Sequence, residues 1–302
     1  MKKIVLLALA LLAAIPSFAS TPAPGMVVCR RHYDYSGFTE LSLSHTFNVE
    51  LSFGEQWSVD IEVPDFIEPY LKIYRRGNRL HIGLEKLPSR ISRQLRKKER
   101  PYAKIRMPYL TTLKMSGASK LVAAGFPLSA PGGMLEIEIS GASRIESLNV
   151  GPIDRLSIDM SGASRGELRG DFRYVDADLS GASRLNLIGN GSKIGVECSG
   201  ASSMNLSGDY KKADIDISGS SRVNVAGNLE ELVIDASGAS KVEHDGVTIY
   251  ADVELSGASK ARIAVVDRLR YELNGASKLR LKDLGARIRG EASRTSRIEY
   301  FR

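Results

Sequence analysis

The sequence contains little cysteine, tryptophan and histidine. Two cysteines, one tryptophan and four histidines occur among 302 residues. A chain of this length needs no disulfide framework, so we expect Cys29 and Cys198 not to pair. The four histidines share no metal-ligand spacing, and no serine has histidine and aspartate at matching positions. Neither a metal centre nor nucleophilic catalysis is therefore indicated, and no cofactor is expected.

Long hydrophobic runs are also lacking, except at the start of the chain. Lys2 and Lys3 precede an apolar run over residues 4–15, and Ser17 and Ala19 supply small residues for cleavage. This pattern predicts a secretory signal peptide over residues 1–19, and its apolar run is too short to span a membrane. We expect an exported protein, located in the periplasm, on the outer-membrane surface or outside the cell, with no transmembrane segment after signal removal.

The net charge of +7 comes mainly from one segment. Residues 90–104 hold seven basic side chains and one acidic one, while the rest of the mature chain is near neutral. We predict a solvated loop that interrupts the β pattern. Its alternative role is to bind an acidic glycan or lipopolysaccharide. The candidate anion-binding residues are Arg93, Arg96, Lys97, Lys98 and Arg100. Nucleic acid is not expected, because the segment lacks aromatic stacking positions.

A short motif recurs through the last two-thirds of the chain. Ser-Gly-Ala-Ser followed by Lys or Arg begins at Ser116, Ser140, Ser161, Ser180, Ser237 and Ser256. Variants begin at Ser199, Ser218 and Asn274, and a degenerate copy occupies residues 293–297. Most successive copies are 19 residues apart. Such a period indicates a solenoid, in which each unit buries its apolar face only by stacking on its neighbours.

Alternation around the motif predicts two strands in each repeat. When the first motif residue is numbered zero, positions −5, −3 and −1 are mostly apolar, as are +5 and +7. Alternation with period two is typical of strands with one buried face. Cys198 falls at position −1 and is predicted to be a small buried hydrophobe. Leucine-rich, left-handed hexapeptide and calcium-binding nonapeptide repeats do not fit. The fold class predicted is therefore all-β, a right-handed single-stranded parallel β-helix with rungs of about 19 residues.

The motif itself is predicted to form a tight corner between the two strands. Glycine at +1 can adopt a positive φ without a steric penalty, and Ala at +2 is small enough to point into the corner. The serines at 0 and +3 can bond locally or to the same residue one rung away. The corner glycines are Gly117, Gly141, Gly162, Gly181, Gly200, Gly219, Gly238, Gly257 and Gly275.

Two charged rows flank the motif. Position −2 is acidic in every copy after the first, and position +4 is basic in nearly every copy. We expect these rows to keep the sheets soluble and to form ion pairs across the corner. Calcium bound between acidic rungs is the alternative.

Residues 20–113 lack the motif but still show strand alternation. We expect an irregular N-terminal β region that caps the open end of the solenoid. The basic excursion over 90–104 lies within this region. The regular β-helix is predicted over residues 114–302.

Five segments carry a resemblance to a known family. They are residues 38–43 (FTELSL), 47–51 (FNVEL), 59–63 (VDIEV), 77–82 (GNRLHI) and 107–110 (MPYL). Together with the motif series, they resemble the autotransporter adhesin "head GIN domain" family of Gram-negative, bacteroidete-type bacteria over about residues 30–300. The resemblance implies a pectate-lyase-like right-handed β-helix without catalytic residues and with a role in cell adhesion.

Two classes of function follow. The first is a non-catalytic envelope or surface protein, an adhesin that binds a glycan or a protein partner through its β-helix surface; oligomerisation is left open. The second is a polysaccharide-active lyase or hydrolase on the same scaffold, which would need clustered carboxylates and aromatic subsites. Trp57 lies outside the repeats, which argues against sugar stacking along the rod.

Overall fold

The computed structural model describes residues 27–97, 100–124 and 131–302. The predicted signal peptide lies outside the described residues. Strand alternation in the first third of the chain produces seven strands. They are β1 (Val28–Tyr33), β2 (Glu40–Leu43), β3 (Asn48–Phe53), β4 (Ser58–Pro64), β5 (Leu71–Arg76), β6 (Arg79–Leu84) and β7 (Tyr102–Met107). One helix, α1 (Ser89–Lys97), lies between β6 and β7.

The remaining strands alternate between a longer and a shorter type, one pair to each repeat. They are β8 (Thr112–Met115), β9 (Lys120–Ala124), β10 (Met134–Ile139), β11 (Arg144–Asn149), β12 (Ile153–Met160), β13 (Arg165–Arg169), β14 (Phe172–Leu179), β15 (Arg184–Ile188), β16 (Gly191–Cys198), β17 (Ser203–Ser207), β18 (Tyr210–Ile217), β19 (Arg222–Ala226), β20 (Leu229–Ala236), β21 (Lys241–Asp245), β22 (Thr248–Leu255), β23 (Lys260–Leu273), β24 (Lys278–Asp283), β25 (Arg287–Ala292) and β26 (Arg297–Tyr300).

These strands stack into two parallel sheets that face each other. The first sheet contains β2, β6, β8, the even-numbered strands β10 to β22, the second part of β23, and β25. The second contains β3, β7, β9, the odd-numbered strands β11 to β21, the first part of β23, β24 and β26. The chain is a parallel β-solenoid of about nine turns with about 19 residues per turn, which confirms the predicted repeat.

Register is maintained from rung to rung because each inward residue meets its equivalent in the next repeat. Leu179 of β14 pairs with Cys198 of β16, which pairs in turn with Ile217 of β18. The inward side chains of both sheets form one continuous core. Cys198 is 3% exposed, so its prediction as a buried residue is confirmed.

The N-terminal region contributes rungs to the same two sheets. β2 pairs in parallel with β8 and β3 with β9, and β8 itself spans the boundary that we predicted at residue 113. Beyond this rung lie β6 and β7, also parallel. Antiparallel strands β1, β4 and β5 then cover the outermost edges.

The basic segment is not a loop, as we had expected, but contains α1 and the start of β7. Leu95 is buried and Ile91 packs against the core, four residues apart on one face of the helix. Two interior aliphatics at helical spacing are enough to anchor a short amphipathic helix, which the surrounding charges had obscured.

The predicted corner glycines all have a left-handed backbone, with φ between 66° and 80°. A side chain there would collide with the rung below: a Cβ on Gly219 would lie 2.6 Å from the carbonyl oxygen of Gly200. The stacked corners are joined by backbone hydrogen bonds, such as Ala163 N–H to Gly141 O at 2.7 Å.

Our assignment of the inward corner residue was wrong by one position. The +2 residues Ala142, Ala163 and Ala182 are exposed, whereas the +3 serine is at most 1% exposed in each of the nine full corners. The left-handed glycine reverses the chain direction, so the residue two positions later, and not the next one, faces the interior. The buried serines are Ser119, Ser143, Ser164, Ser183, Ser202, Ser221, Ser240, Ser259 and Ser277.

Candidate functional site

An acidic cleft lies on the outer face of the first sheet, near the middle of the rod. The −2 carboxylates stand directly above one another because the strands are in register: Asp159 pairs with Asp178, Asp178 with Glu197, and Glu197 with Asp216. The −4 position adds Asp176 on the rung of Asp178 and Asp214 on the rung of Asp216. Their carboxylates share one exposed face.

A missing side chain opens this face into a cleft. Gly195 occupies position −4 between Asp176 and Asp214, and the nearest atom to a Cβ there would be Asp176 Oδ1 at 3.3 Å. The cleft encloses about 490 Å³, and Lys193 contributes the one cationic group of its lining. A smaller cavity of about 240 Å³, which shares Asp159, continues along the same face toward Ser42 and Lys114. The two cavities form an elongated polar surface.

Burial and neighbouring negative charges act together on two carboxyls of the column. Partial burial, followed by the charges of Asp178 and Glu138, raises the pKa of Asp159. Burial and the charges of Asp235 and Asp214 likewise raise the pKa of Asp216. A raised carboxyl pKa indicates that the charged form is disfavoured by its surroundings. The cleft is therefore a surface on which negative charge accumulates.

The expected pairing of the acidic and basic rows is not what the structure shows. None of the described ion pairs joins a −2 carboxylate to a +4 base. The basic row pairs with carboxylates on its own sheet: Lys120 with Glu146 at 2.9 Å, Lys241 with Glu243 at 2.8 Å, and Lys278 with Glu299 at 2.7 Å. The two rows lie on different sheets, and partners on the same sheet are closer. Only Glu138 of the acidic row has an ion-pair partner among the described residues, namely Lys114.

The calcium alternative has no support from the described residues. In residues 27–97, 100–124 and 131–302, no group of three or more His, Cys, Asp or Glu side chains is arranged to hold a metal ion. Outward side chains on successive rungs are parallel and separated by about 4.8 Å, so they do not converge on one point as calcium ligands must.

The candidate anion-binding residues are placed on and after α1. Arg93 is exposed on the helix, and Arg100 is exposed just before β7, where its Nη1 donates to Ala118 O at 3.2 Å. The backbone of Arg96 and Lys97 forms the last turn of α1. Lys98 lies outside the described residues. The described members of this set therefore lie along α1 and in the segment between α1 and β7.

Histidine and cysteine side chains form no catalytic arrangement in the described part of the chain. His244 is buried at position +7, and its Nε2 lies 2.9 Å from Gly227 O. Burial lowers the pKa of this imidazole, so it is neutral at pH 7. Cys29 and Cys198 are both free thiols.

A second corner escaped the sequence analysis. Between the short strand of one repeat and the long strand of the next, Gly189, Gly208 and Gly227 have φ of 151°, 147° and 137°. The following residue accepts a hydrogen bond from the rung above: Asn190 Oδ1 accepts from Asp209 N–H at 3.0 Å, and Asp209 Oδ1 from Asn228 N–H at 2.6 Å. The signal was a Gly-Asp or Gly-Asn dipeptide recurring every 19 residues, in step with the motif.

An asparagine ladder on the second sheet was also missed. Asn205 Nδ2 donates to Asn186 Oδ1 at 2.7 Å, and Asn224 Nδ2 donates to Asn205 Oδ1 at 2.8 Å. Stacked identical amides satisfy one another in cross-β structures in the same way. These side chains therefore stabilise the stack.

The fold and the outer face of the first sheet together define the class of protein: a parallel β-solenoid with an extended polar outer surface. The sequence matches the family described as "Putative auto-transporter adhesin, head GIN domain" over residues 37–190 and 186–283. The chain belongs to this family. A search of curated proteins finds no match.

Solved structures share this fold. A "putative adhesin" from Parabacteroides merdae is 16% identical, with a TM-score of 0.52 and coverage of 91% of this chain and 96% of that one. A "putative adhesin" from Parabacteroides distasonis is 17% identical, with a TM-score of 0.50 and coverage of 91% and 97%. At these identities the likeness shows the fold alone.

No helix in the described residues is long and apolar enough to cross a membrane.

Proposed function

We propose that the mature protein is an exported, non-catalytic adhesin that holds a protein partner against the outer face of its first sheet. Export rests on the predicted signal peptide, and the adhesive role on membership of the family. The partner presents lysine and arginine side chains to the acidic cleft.

The observation that carries this proposal is the uncompensated column of carboxylates. Asp159, Asp178, Glu197 and Asp216 lie on successive rungs without a described ion-pair partner, and two of them have raised pKa values. Like charges that stack directly destabilise a sheet. A cationic partner removes this repulsion on binding, and complementary charge also speeds encounter and selects among partners.

The lining favours a protein partner over a neutral glycan. It consists of carboxylates, small residues, aliphatic residues and Lys193, with no aromatic ring on which a sugar could stack. The carboxylates are also repeated equivalents of one another. A glycosidase requires two carboxyl groups with contrasting environments, one acid and one base or nucleophile. The repetition suits a binding surface rather than an active site.

The test compares two triple variants with equal loss of charge. The first is Asp178→Asn/Glu197→Gln/Asp216→Asn in the cleft. The matched control is Glu146→Gln/Glu167→Gln/Glu243→Gln on the second sheet, where each carboxylate already has a basic partner. We expect an immobilised Lys/Arg-rich peptide to bind wild type and control alike. It should bind the cleft variant at least tenfold more weakly, and wild-type binding should weaken as salt rises.

Two results would replace the proposal. Binding of an acidic glycan that is lost on changing Arg93, Arg96, Lys97, Lys98 and Arg100 to Ser would move the binding site to the basic segment. Depolymerisation of a polysaccharide that is lost in the cleft variant would instead show an enzyme.

A further inference from the structure

A separate cavity of about 370 Å³ lies between α1 and the first corner of the solenoid. Its volume falls within the range of about 300–1,000 Å³ that is usual for small-molecule sites. One side is apolar and is formed by Leu84, Leu87 and Leu95. Thr46, Ser92 and Arg100 contribute polar groups.

The cavity exists because one corner of the stack is missing. In the regular rungs a Cβ at the corner would strike the carbonyl oxygen of the corner below, as at Gly117, where His45 O would be 2.4 Å away. His45 occupies this corner position in the rung of β2 and β3. In the next rung outward, between β6 and β7, the chain leaves the stack to form α1. The space of the absent corner is covered by the helix but not filled.

His45 is held in a costly conformation beside this space. Its φ is 69°, and it is the one non-glycine residue with positive φ in the described part of the chain. Its Nδ1 accepts a hydrogen bond from Leu84 N–H at 3.3 Å and lies 3.0 Å from Ser44 Oγ. The surrounding structure must hold such a residue in place, and residues of this kind cluster at ligand-binding and active sites. A glycine at position 45 would relieve the backbone strain, but it would remove the hydrogen bond between the imidazole at this corner and Leu84 of β6.

Two polar groups of the lining have unused hydrogen-bonding capacity. The hydroxyl of Thr46 is buried and has no hydrogen-bond partner among the described residues, so a ligand or a water molecule would satisfy it. A guanidinium has five N–H donors, and the contact described for Arg100 is the single bond to Ala118 O. A cationic group and a free hydroxyl beside three leucines form an amphipathic lining.

We propose that this cavity binds a single acyl chain with an anionic head group. The chain packs among Leu84, Leu87 and Leu95, and Arg100 and the Thr46 hydroxyl supply donors to the head. The chemistry is shared by free fatty acids and by the acyl chains of anionic lipids. This site is independent of the acidic cleft, so either proposal can fail without the other.

The experiment measures binding by calorimetry with three probes: laurate, dodecyl phosphate and dodecanol. Arg100→Gln should weaken laurate and dodecyl phosphate at least tenfold and leave dodecanol unchanged. Arg93→Gln removes the same charge from α1 outside the lining and should change none of them. Ser92→Phe fills the cavity from the helix and should abolish binding of all three.

Vesicles of phosphatidylglycerol distinguish the two sources of the ligand. Sedimentation of the wild type with vesicles, and not of Ser92→Phe, identifies a membrane lipid as a ligand of the same cavity; binding of laurate without sedimentation identifies a free acid. The proposal is overturned if wild type binds none of the probes. It is also overturned if Ser92→Phe binds them as wild type does, or if Arg93→Gln weakens laurate as much as Arg100→Gln.

Discussion

Buried serines at the corners have equivalent positions but unequal partners. Ser221 Oγ lies 3.3 Å from Ser202 Oγ, which also donates to Leu179 O at 3.2 Å. Ser240, one rung further, is equally buried, yet its hydroxyl has no partner among the residues that the structure describes. Rungs separated by about 4.8 Å are too far apart for every hydroxyl to reach the next. Hydrogen bonding by the corner serine therefore contributes to stability only at some rungs.

This inequality predicts opposite effects of one substitution at two rungs. Ser221→Ala should lower the free energy of unfolding by about 1 kcal/mol, because a buried hydrogen bond is lost. Ser240→Ala should leave stability unchanged or raise it by up to about 1 kcal/mol, because an unsatisfied hydroxyl is removed. Urea unfolding of the two variants measures the difference. Equal destabilisation would show that the two hydroxyls are bonded alike.

The buried thiol of Cys198 should make the free energy of unfolding depend on pH in the alkaline range. Burial raises the pKa of its thiol to about 11 from the ordinary value of 9.0. Between pH 9 and pH 11 the thiol ionises in the unfolded state but remains protonated in the folded state. The contribution of Cys198 to the free energy of unfolding is therefore intact below pH 9 and is lost as the pH rises toward 11. Wild type should lose up to about 3 kcal/mol over this window relative to Cys198→Val, which has no thiol. Parallel stability curves for the two proteins would place the thiol in contact with water.

Side-chain alternation predicted the strands well but could not predict the corners. Residues such as Leu185 and Leu187 are buried as their alternation requires. At a corner the φ of glycine changes the direction of the next Cβ, so counting by twos no longer assigns a face. Whether Ala182 or Ser183 faces inward depends on that backbone angle, and residue size alone favoured the wrong one.

At the scale of elements, the second corner depends on backbone packing as closely as the first. A Cβ on Gly208 would lie 2.0 Å from Gly189 O, and φ there is 147°. The three nearest atoms all belong to the backbone of the rung below, which cannot move aside as a flexible side chain could.

Gly208→Ala should therefore destabilise by about 3 kcal/mol or more. Gly195→Ala provides the control, since its Cβ would meet only the end of the Asp176 side chain at 3.3 Å. That substitution should cost less than about 1 kcal/mol. Thermal unfolding compares the two. Similar melting temperatures would mean that the second corner is open enough to accept a side chain.

The acidic column should lower the stability of the fold, because its like charges repel one another, while it provides the proposed binding surface. Asp216→Asn should raise the free energy of unfolding at pH 7 by about 0.5 kcal/mol, because it removes repulsion from neighbouring carboxylates. A carboxyl with raised pKa favours folding only when protonated, so the gain should disappear near pH 3. Glu231→Gln breaks the pair with Lys212 at 2.7 Å and should instead lower stability by up to about 0.5 kcal/mol. A loss of stability in Asp216→Asn would show that its charge is compensated.

The elements outside the repeat were the hardest to predict. The basic charges of 90–104 hid the helical spacing of Ile91 and Leu95. The acidic row was visible in the sequence. Whether it shares a sheet with the basic row depends on the corner geometry, which the sequence pattern alone did not give. The cavity beside His45 arises because α1 is inserted between β6 and β7 and because the corner of that rung is missing. No single sequence motif marks either feature.

At the scale of the whole molecule, burial falls toward the last rung. β25 and β26 contain no fully buried residue, whereas β14 to β22 each bury several. In a linear stack each rung is stabilised mainly by its neighbours.

Amide hydrogen exchange should therefore be fastest in β25 and β26 among the repeat strands and slowest in β14 to β20. Mass spectrometry of peptic fragments measures this gradient. Uniform exchange across all rungs would mean that the rod opens as one cooperative unit.

From Gly141 onward, each corner glycine stacks on the carbonyl of the corner glycine below it, so the length of the stack is set in whole repeats. Residues 218 and 237 occupy the same place in successive units, so excising 218–236 would join Ile217 to Ser237 and bring β22 onto β18 in the register that β20 now has. The product would be shorter by one step of about 4.8 Å. Gene duplication and deletion can thus alter the reach of such a rod in whole steps while the surface at each end stays the same.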